Sequence, residues 1–204
     1  MARSRFRLSV QRLVLGLALV STACERPAPD ATASAPPLAG AAIGGDFTLV
    51  DKAGKTVRYG DFAGRYRIVY FGYTFCPDAC PQDVQTLVLG FNAFAKAEPG
   101  LAAQVQPIFV TIDPARDTPA VVGEFAAAFS PRLLGLTGTP AQVGAAASAF
   151  KVYHAKGEAL PDGGYLMDHS RIAYLMDRDG KPLAMLPVDK GPQAVAAELA
   201  KWTS

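Results

Sequence analysis

No cluster of lysine or arginine occurs outside the first 23 residues of this sequence. Within that segment Arg3, Arg5, Arg7 and Arg12 carry four positive charges, and no acidic residue accompanies them. Without these four charges the formal charge of +2 becomes −2, so the rest of the chain is slightly acidic. Nucleic-acid-binding proteins need a concentrated basic surface to contact phosphates, and this chain lacks one. The composition therefore excludes nucleic acid as a partner.

The N-terminal apolar run is too short to cross a membrane. It ends at Cys24, well before the about 20 apolar residues that a spanning helix needs. Residues 1–23 have the basic start, the apolar run and the small residues of an export signal peptide. Cys24 resembles the lipidated cysteine of a bacterial lipobox, although Ser21 stands where leucine is usual. We expect cleavage before a lipidated Cys24, with cleavage without a lipid as the alternative.

Cysteine is scarce, and each of the three can be considered in turn. With Cys24 assigned to an anchor, Cys76 and Cys80 remain as a pair in an exported compartment that permits disulfides. Residues 24–42 are rich in alanine and proline without a hydrophobic period, which predicts an extended tether. We therefore expect one folded domain at residues 43–204, lipid-anchored to the membrane in a bacterial cell envelope and facing the periplasm.

The central part of the sequence predicts an α/β fold. Residues 45–59 alternate apolar and polar side chains around a turn, as in a short β-hairpin. Residues 67–73 and 105–113 have the β-branched and aromatic composition of buried strands, and Pro107 suggests that the regular part of the second starts after it. Apolar residues at helical spacing follow Cys80, so a helix connects the two strands.

The remainder of the chain completes a thioredoxin-like order of elements. An insertion at residues 114–150 predicts two helices around a short strand, with Thr118 and Thr139 as N-caps that each precede a proline. Residues 151–155 are predicted as a strand and residues 156–164 as a mobile loop. Two strands joined by a tight turn and a final helix follow. We expect a thioredoxin-like fold enlarged by the N-terminal hairpin and by this insertion.

Cys76 and Cys80 lie at the predicted junction between a strand and a helix. Unpaired N–H groups and the helix dipole favour thiolates there, and the spacing of four residues places both sulfurs on one helical face. That spacing allows a disulfide or a metal chelate. A static disulfide would close a short loop and stabilise little, while a redox Cys-x-x-Cys motif has one residue fewer.

Histidine is also scarce, and His169 lies where a thioredoxin-like core brings the chain close to the dithiol. A packed or surface histidine is the alternative to a ligand. His154 is expected to face solvent from its strand. Two thiolates and one imidazole suit Cu(I), or zinc with a fourth ligand, and copper is the simpler choice for an exported domain. Asp78 or water could complete a Cu(II) site.

Several other residues could contribute but have simpler explanations. Met167, Met176 and Met185 lie in apolar strand contexts, which favours core packing over copper binding through thioethers. Asp113 and Asp117 follow a strand at the same sheet end as the thiols. Turn and cap formation is their expected main role, and orientation of the site is a further one.

These motifs together resemble the Sco/SenC family across residues 43–202. The resemblance implies a thioredoxin-like fold that binds copper, as Cu(I) or Cu(II), through two cysteines and one histidine, which are Cys76, Cys80 and His169 here. Alanine at position 79 and a lipobox-like anchor depart from the common pattern. The motifs are residues 71–81 (FGYTFCPDACP), 113–119 (DPARDTP), 135–138 (GLTG), 168–170 (DHS) and 174–175 (YL).

The resemblance implies a copper metallochaperone that assists assembly of the dinuclear copper centre of cytochrome c oxidase. Its expected partners are the copper-site subunit of the oxidase, other periplasmic copper chaperones, thiol reductants and, through the lipid anchor, the membrane. The alternative is a thiol–disulfide oxidoreductase that uses Cys76 and Cys80 as a redox pair to reduce the copper-site cysteines of the oxidase. The first hypothesis requires no enzymatic activity, whereas the second does.

Overall fold

The computed structural model describes residues 35–161 and 163–203. The predicted signal peptide and Cys24 lie outside these residues. Within the described part of the chain, no helix is long and apolar enough to span a membrane. The strands are β1 (Thr48–Val50), β2 (Thr56–Arg58), β3 (Tyr66–Gly72), β4 (Val105–Thr111), β5 (Leu134–Leu136), β6 (His154–Ala159), β7 (Tyr165–His169), β8 (Ala173–Met176) and β9 (Pro182–Leu186). The α-helices are α1 (Ala79–Ala97), α2 (Pro99–Ala102), α3 (Pro119–Phe129), α4 (Pro140–Ala149) and α5 (Pro192–Trp202).

A five-stranded sheet in the order β5-β4-β3-β8-β9 forms the centre of the fold. Strands β3, β4 and β5 are parallel, and the hairpin β8–β9 continues the sheet antiparallel to β3. Helix α1 makes the crossover from β3 to β4, and α3, β5 and α4 form the insertion. This arrangement confirms the predicted thioredoxin-like fold, including the hairpin β1–β2 before it.

The prediction that β4 starts after Pro107 is wrong. Pro107 lies inside β4 and pairs in register with Ile68 of β3. Backbone N–H groups alternate between the two sides of a strand, and the N–H of Ile112 points to β3, so the nitrogen of Pro107 faces the β5 side. Strand β5 pairs with β4 only from Ile108 onward. A missing donor at Pro107 therefore removes no ladder hydrogen bond.

Strand β3 is buried along its whole length because both faces of the sheet are covered. Val69 and Phe71 face one core, which includes α4, Phe150 and the hairpin β1–β2. Ile68 and Tyr70 face the other core, which includes apolar residues of α1, α3 and α5. Side chains of β3 thus alternate between the two cores, and this packing fixes the C-terminal end of the strand, where the cysteine motif begins.

Threonine caps start two helices of the insertion as predicted. The hydroxyls of Thr118 and Thr139 accept hydrogen bonds from backbone N–H groups three residues later. Pro119 and Pro140 occupy the first helical positions, where no intrahelical acceptor would be available for an N–H. Local capping chemistry therefore determines both helix starts, independently of the packing around them.

Residues 151–164 differ from the predicted strand and loop. Strand β6 begins only at His154, continues to Ala159 and pairs antiparallel with β7 in a separate two-stranded sheet. Its residues are polar or small and none is fully buried, so its composition does not indicate a strand. The strand forms because β7 supplies hydrogen-bond partners, and that pairing is a tertiary feature with no local signal.

Contacts with the fold begin before residue 43, where we expected the domain to start. The backbone N–H of Leu38 donates to the carbonyl of Leu183 at 3.0 Å, and the Leu38 side chain packs against the core. The single apolar side chain of Leu38 anchors this proline-rich segment, and an isolated leucine gives no hydrophobic period to detect.

Candidate metal centre

The two cysteines lie at the junction of β3 and α1, as the sequence predicts. Cys80 is the second residue of α1 and is fully buried, while Cys76 precedes the helix and is half buried. The backbone N–H of Cys80 donates to the Cys76 sulfur at 3.3 Å. Cys76 therefore acts as the acceptor for an N–H of the first helical turn, which otherwise would lack a partner. Both cysteines are free thiols.

His169, the last residue of β7, contacts the dithiol directly. Its Nε2 lies 3.2 Å from the Cys80 sulfur, and its Nδ1 lies 3.0 Å from the carbonyl oxygen of Ser170. Because a carbonyl can only accept, Nδ1 carries the proton and the neutral ring presents a lone pair at Nε2. The ring also makes an edge contact with Tyr73 at a centroid distance of 6.0 Å. His169 therefore presents a ligand atom toward the sulfurs.

The two thiols differ in acidity. Burial raises the pKa of Cys80 to about 12. Partial burial also raises the pKa of Cys76, but hydrogen bonds from the backbone N–H groups of Cys80 and Asp78 lower it and outweigh burial. A hydrogen bond from the Tyr73 hydroxyl adds to this effect, so the pKa of Cys76 is lower than usual. Burial lowers the pKa of His169, so its imidazole is neutral at neutral pH.

This asymmetry predicts the pH dependence of Cu(I) binding. A Cys ligand must lose its proton, and Cys80 keeps its proton until the pH approaches 12. If Cu(I) binds through both cysteines, then once Cys76 is ionised each binding event releases one thiol proton, and the affinity should rise about tenfold per pH unit. The rise should be steeper below the pKa of Cys76, where two protons are released. Competition with a Cu(I) chelator of known proton affinity measures the slope, and a flat profile across neutral pH would contradict the assignment.

Asp117 holds the loop that carries Cys76. The carboxylate is fully buried and accepts hydrogen bonds from the Thr74 N–H at 3.0 Å, the Thr74 hydroxyl at 2.6 Å and the Thr111 hydroxyl at 2.5 Å. Burial raises the pKa of Asp117, and the hydrogen bonds oppose that shift. Asp117 thereby ties the end of β3 to the end of β4, which orients the site as well as the turn around it.

Arg116 covers one side of the same loop. Its guanidinium lies 3.6 Å from the centroid of the Tyr165 ring and 4.9 Å from that of Phe75. Asp113 accepts a hydrogen bond from Arg116 Nε at 2.5 Å and another from the Tyr165 hydroxyl at 2.9 Å. These contacts join the cysteine loop to β7, so the two segments that carry the candidate ligands are held together.

The structure places two further residues that the sequence singled out, His154 and Asp78. His154 is half buried rather than directed to solvent, and it pairs directly across β6–β7 with His169. The Ser170 N–H donates to the Tyr153 carbonyl, so residues 153 and 170 form a hydrogen-bonded pair of the ladder. The next pair, His154 and His169, is therefore a non-hydrogen-bonded pair, in which opposite side chains lie close together. The Asp78 carboxylate is exposed and accepts a hydrogen bond from Gln82.

The prediction of core packing is confirmed for two methionines and wrong for the third. Met176 is fully buried and Met167 packs against the core, whereas Met185 is 53% exposed. Met185 lies on β9, the edge strand of the sheet, and its neighbours in sequence point inward. Apolar composition alone could not identify which residues of an edge strand face solvent.

The donor set fits a soft metal ion, although the ligands are not arranged around one point. Within residues 35–161 and 163–203, no group of three or more His, Cys, Asp or Glu side chains is positioned to hold a metal ion. Cys80 contacts His169 through its sulfur and Cys76 through its backbone N–H, so the three candidate side chains are neighbours. Two thiols and an imidazole lone pair are donors that copper accepts.

Comparison with known proteins gives consistent relatives. The chain matches the SCO1/SenC family model over residues 35–204. It is 43% identical over 141 residues to the mitochondrial protein SCO2 homolog of Bos taurus, which is 69% of this chain and 52% of the relative. It is 40% identical over 158 residues to protein SenC of Rhodobacter capsulatus, which is 78% of this chain and 69% of the relative. The chain thus spans about half the length of the mammalian SCO2 relatives that it matches.

A solved structure resembles the whole described fold. ScoI of Bradyrhizobium japonicum, with copper bound, superposes with a TM-score of 0.70 at 38% sequence identity. The match covers 79% of this chain and 99% of that chain.

Proposed function

This chain belongs to the SCO1/SenC family, and from that premise we propose that it is a copper metallochaperone that assists assembly of the dinuclear copper centre of cytochrome c oxidase. Cys76, Cys80 and His169 bind the copper. The observation that carries this proposal is the 3.2 Å contact of His169 Nε2 with the Cys80 sulfur. This contact places the lone pair of a neutral imidazole next to a pair of cysteines that form no disulfide.

Copper suits this set of donors better than zinc does. Structural zinc sites use four protein ligands, whereas three donors are enough for Cu(I). Cu(I) prefers soft thiolates, and imidazole binds both oxidation states of copper. Water or the exposed Asp78 carboxylate would supply a further ligand to Cu(II).

The same three ligands, which differ in acidity, also allow the copper to be released. Thiols of an acceptor protein can replace Cys76, Cys80 and His169 one at a time, so copper is never free in solution. Protonation of Cys80, whose pKa burial raises to about 12, favours the departure of the metal. The acceptor that we propose is the copper-site subunit of the oxidase, with other periplasmic copper chaperones as sources of copper.

We also propose that the protein acts at a membrane in the bacterial cell envelope, facing the periplasm. The basic and apolar residues before Cys24, and the lipobox-like cysteine itself, support an exported lipoprotein. Residues 24–42 then lead from the anchor to the domain. Metabolic labelling with a fatty acid tests the anchor, and the absence of label from the mature protein would contradict it.

Replacement of His169 by alanine tests the ligand assignment. The change should weaken Cu(II) binding by about a hundredfold or more, because it removes one of three ligands and leaves the dithiol intact. Metal content, thiol titration and the Cu(II) absorption spectrum of anaerobically purified wild type and variant measure the effect. His154→Ala is the matched control, since it removes an imidazole from the neighbouring strand position. Unchanged affinity and spectrum in His169→Ala would refute the assignment.

A thiol–disulfide reductase is the second candidate, and the asymmetry of the thiols favours it. Cys76 is partly exposed with a lowered pKa, so its thiolate can attack a disulfide of a partner and form a mixed disulfide. Cys80, after losing its proton, then attacks the Cys76 sulfur, which releases the reduced partner and leaves a Cys76–Cys80 disulfide. In this case His169→Ala should preserve reduction of the partner, whereas either cysteine variant should lose it.

A further inference from the structure

An ion pair with a buried carboxylate and a half-exposed guanidinium lies beside the three proposed ligands. Asp83 follows Cys80 by one helical turn on the same face of α1, and it is only 3% exposed. Arg171 binds its carboxylate with both arms of the guanidinium, Nε to Oδ2 at 2.9 Å and Nη2 to Oδ1 at 2.6 Å. These hydrogen bonds raise the pKa of Arg171, so its guanidinium stays charged.

The pair connects the two segments that carry the ligands. Arg171 follows His169 by two residues, and Ser170 between them supplies the carbonyl that accepts from His169 Nδ1. The position of the backbone at residues 170–171 therefore sets the direction in which Nε2 points. Because Asp83 belongs to the rigid helix that also carries Cys80, the ion pair fixes the distance between that backbone and the Cys80 sulfur.

Tyr70 closes this arrangement into a ring of contacts. Its hydroxyl donates to Asp83 Oδ2 at 2.9 Å, and it also lies within hydrogen-bonding reach of the Cys80 thiol. Contacts thus run from Cys80 to His169, along the backbone to Arg171, across to Asp83 and back through Tyr70. Such a closed ring restrains each member through two neighbours, so His169 has little freedom to rotate away from the sulfur.

Stability alone does not explain the ion pair. Only the Asp83 end of the pair is buried, because the Arg171 side chain is 51% exposed, and desolvation of the carboxylate offsets part of the attraction between the two charges. A bidentate contact does, however, define a distance and an orientation, which apolar packing defines less sharply. The half-exposed Arg171 also reaches its partner from the solvent side, where an apolar side chain would be exposed instead.

We propose that Asp83 and Arg171 are positioning residues, which hold His169 against Cys80 so that the ligands stand ready before copper arrives. This inference rests on the proposed function, because it concerns the same copper site. The pair reduces the rotational freedom that His169 would otherwise lose when it binds the metal. Its effect should therefore appear in the affinity for Cu(II) and in the spectrum of the His169–copper bond.

Variants of the pair in the full-length protein test the proposal. Arg171→Met and Asp83→Asn should each weaken Cu(II) binding by about 10- to 100-fold, as loss of groups that orient a ligand usually does. Both should change the thiolate-to-Cu(II) absorption and the nitrogen coupling in the electron paramagnetic resonance spectrum. Arg171→Lys should recover part of the affinity. Lys190→Met is the matched control, since Lys190 lines the same groove of about 450 Å³ without an ion pair to Asp83.

The double variant separates a direct partnership from two independent effects. In the Asp83→Asn background, Arg171→Met should cause little further loss, because the partner is already neutral. Asp83→Asn keeps the size of the side chain and an acceptor for Tyr70, so it tests the proposal even if Arg171→Met does not fold. Losses that multiply in the double variant, or an unchanged affinity and spectrum in Asp83→Asn, would overturn it.

Failure of this inference can be distinguished from failure of the proposed function. If wild type does not bind copper through Cys76, Cys80 and His169, the proposed function fails, and the pair has no ligand to position. If wild type binds copper and His169→Ala does not, but Asp83→Asn resembles wild type in both affinity and spectrum, the function stands and the positioning role is overturned.

Discussion

Replacement of Cys80 by serine should abolish copper binding, with the dissociation constant rising by more than about a thousandfold, or ~4 kcal/mol. Cys80 is the centre of the site, because it contacts both His169 at 3.2 Å and the Cys76 sulfur through its backbone N–H at 3.3 Å. A serine hydroxyl is a hard donor that stays protonated at neutral pH, so Cu(I) would lose a thiolate and gain nothing in return.

Competition titrations with a Cu(I) chelator measure this effect. Cys24→Ser is the matched control, since it makes the same change at the third cysteine, and we expect it to bind copper like wild type. Near-ultraviolet circular dichroism verifies that Cys80→Ser still folds, which we expect because serine is smaller than cysteine and introduces no steric clash. Copper affinity within tenfold of wild type in the folded variant would contradict a role for Cys80 as a ligand.

Replacement of Phe150 by alanine should cost about 4 kcal/mol of unfolding free energy, the middle of the usual range for a buried phenylalanine. Phe150 is completely buried at the end of α4. Its ring packs against those of Phe47, Tyr59, Phe71 and Tyr174 at centroid distances of 5.4 to 6.5 Å. It therefore joins the N-terminal hairpin, the insertion and the central sheet, and a cavity there would weaken all three contacts.

Chemical denaturation measures the loss, and thermal unfolding should shift downward by roughly 10 °C for a domain of this size. Phe75→Ala is the matched control because it deletes the same side chain where it is 52% exposed, and it should cost less than about 1 kcal/mol. If Phe150→Ala is no more destabilising than Phe75→Ala, Phe150 does not have the central packing role described above.

Much of the fold could be predicted from local patterns in the sequence. The strands β3 and β4 are mostly apolar, β-branched and aromatic, and Thr118 and Thr139 cap their helices through contacts within three residues. The cysteines at the start of α1 follow from the change of hydrophobic period between residues 73 and 83. These features depend on neighbours in the chain, so spacing and composition are sufficient to reveal them.

Features that depend on distant residues could not be predicted in the same way. Strand β6 forms only through pairing with β7. Pro107 is tolerated within β4 because the pairing of β4 with β5 starts at the next residue, Ile108. The position of Asp83 does indicate from the sequence that a polar partner is needed, because a carboxylate on the buried face of an amphipathic helix requires one. The identity of that partner, Arg171, is a matter of tertiary contact.

The sequence by itself determined which candidate donors the folded domain has: two thiols four residues apart at a helix start, and the two histidines His154 and His169. The tertiary structure decided how they differ and which of them meet. Burial separates the acidity of Cys76 from that of Cys80, and the Asp83–Arg171 pair holds the strand end at which His169 reaches Cys80. Spacing along a chain specifies donor types, whereas distance, desolvation and orientation arise only when the segments pack together.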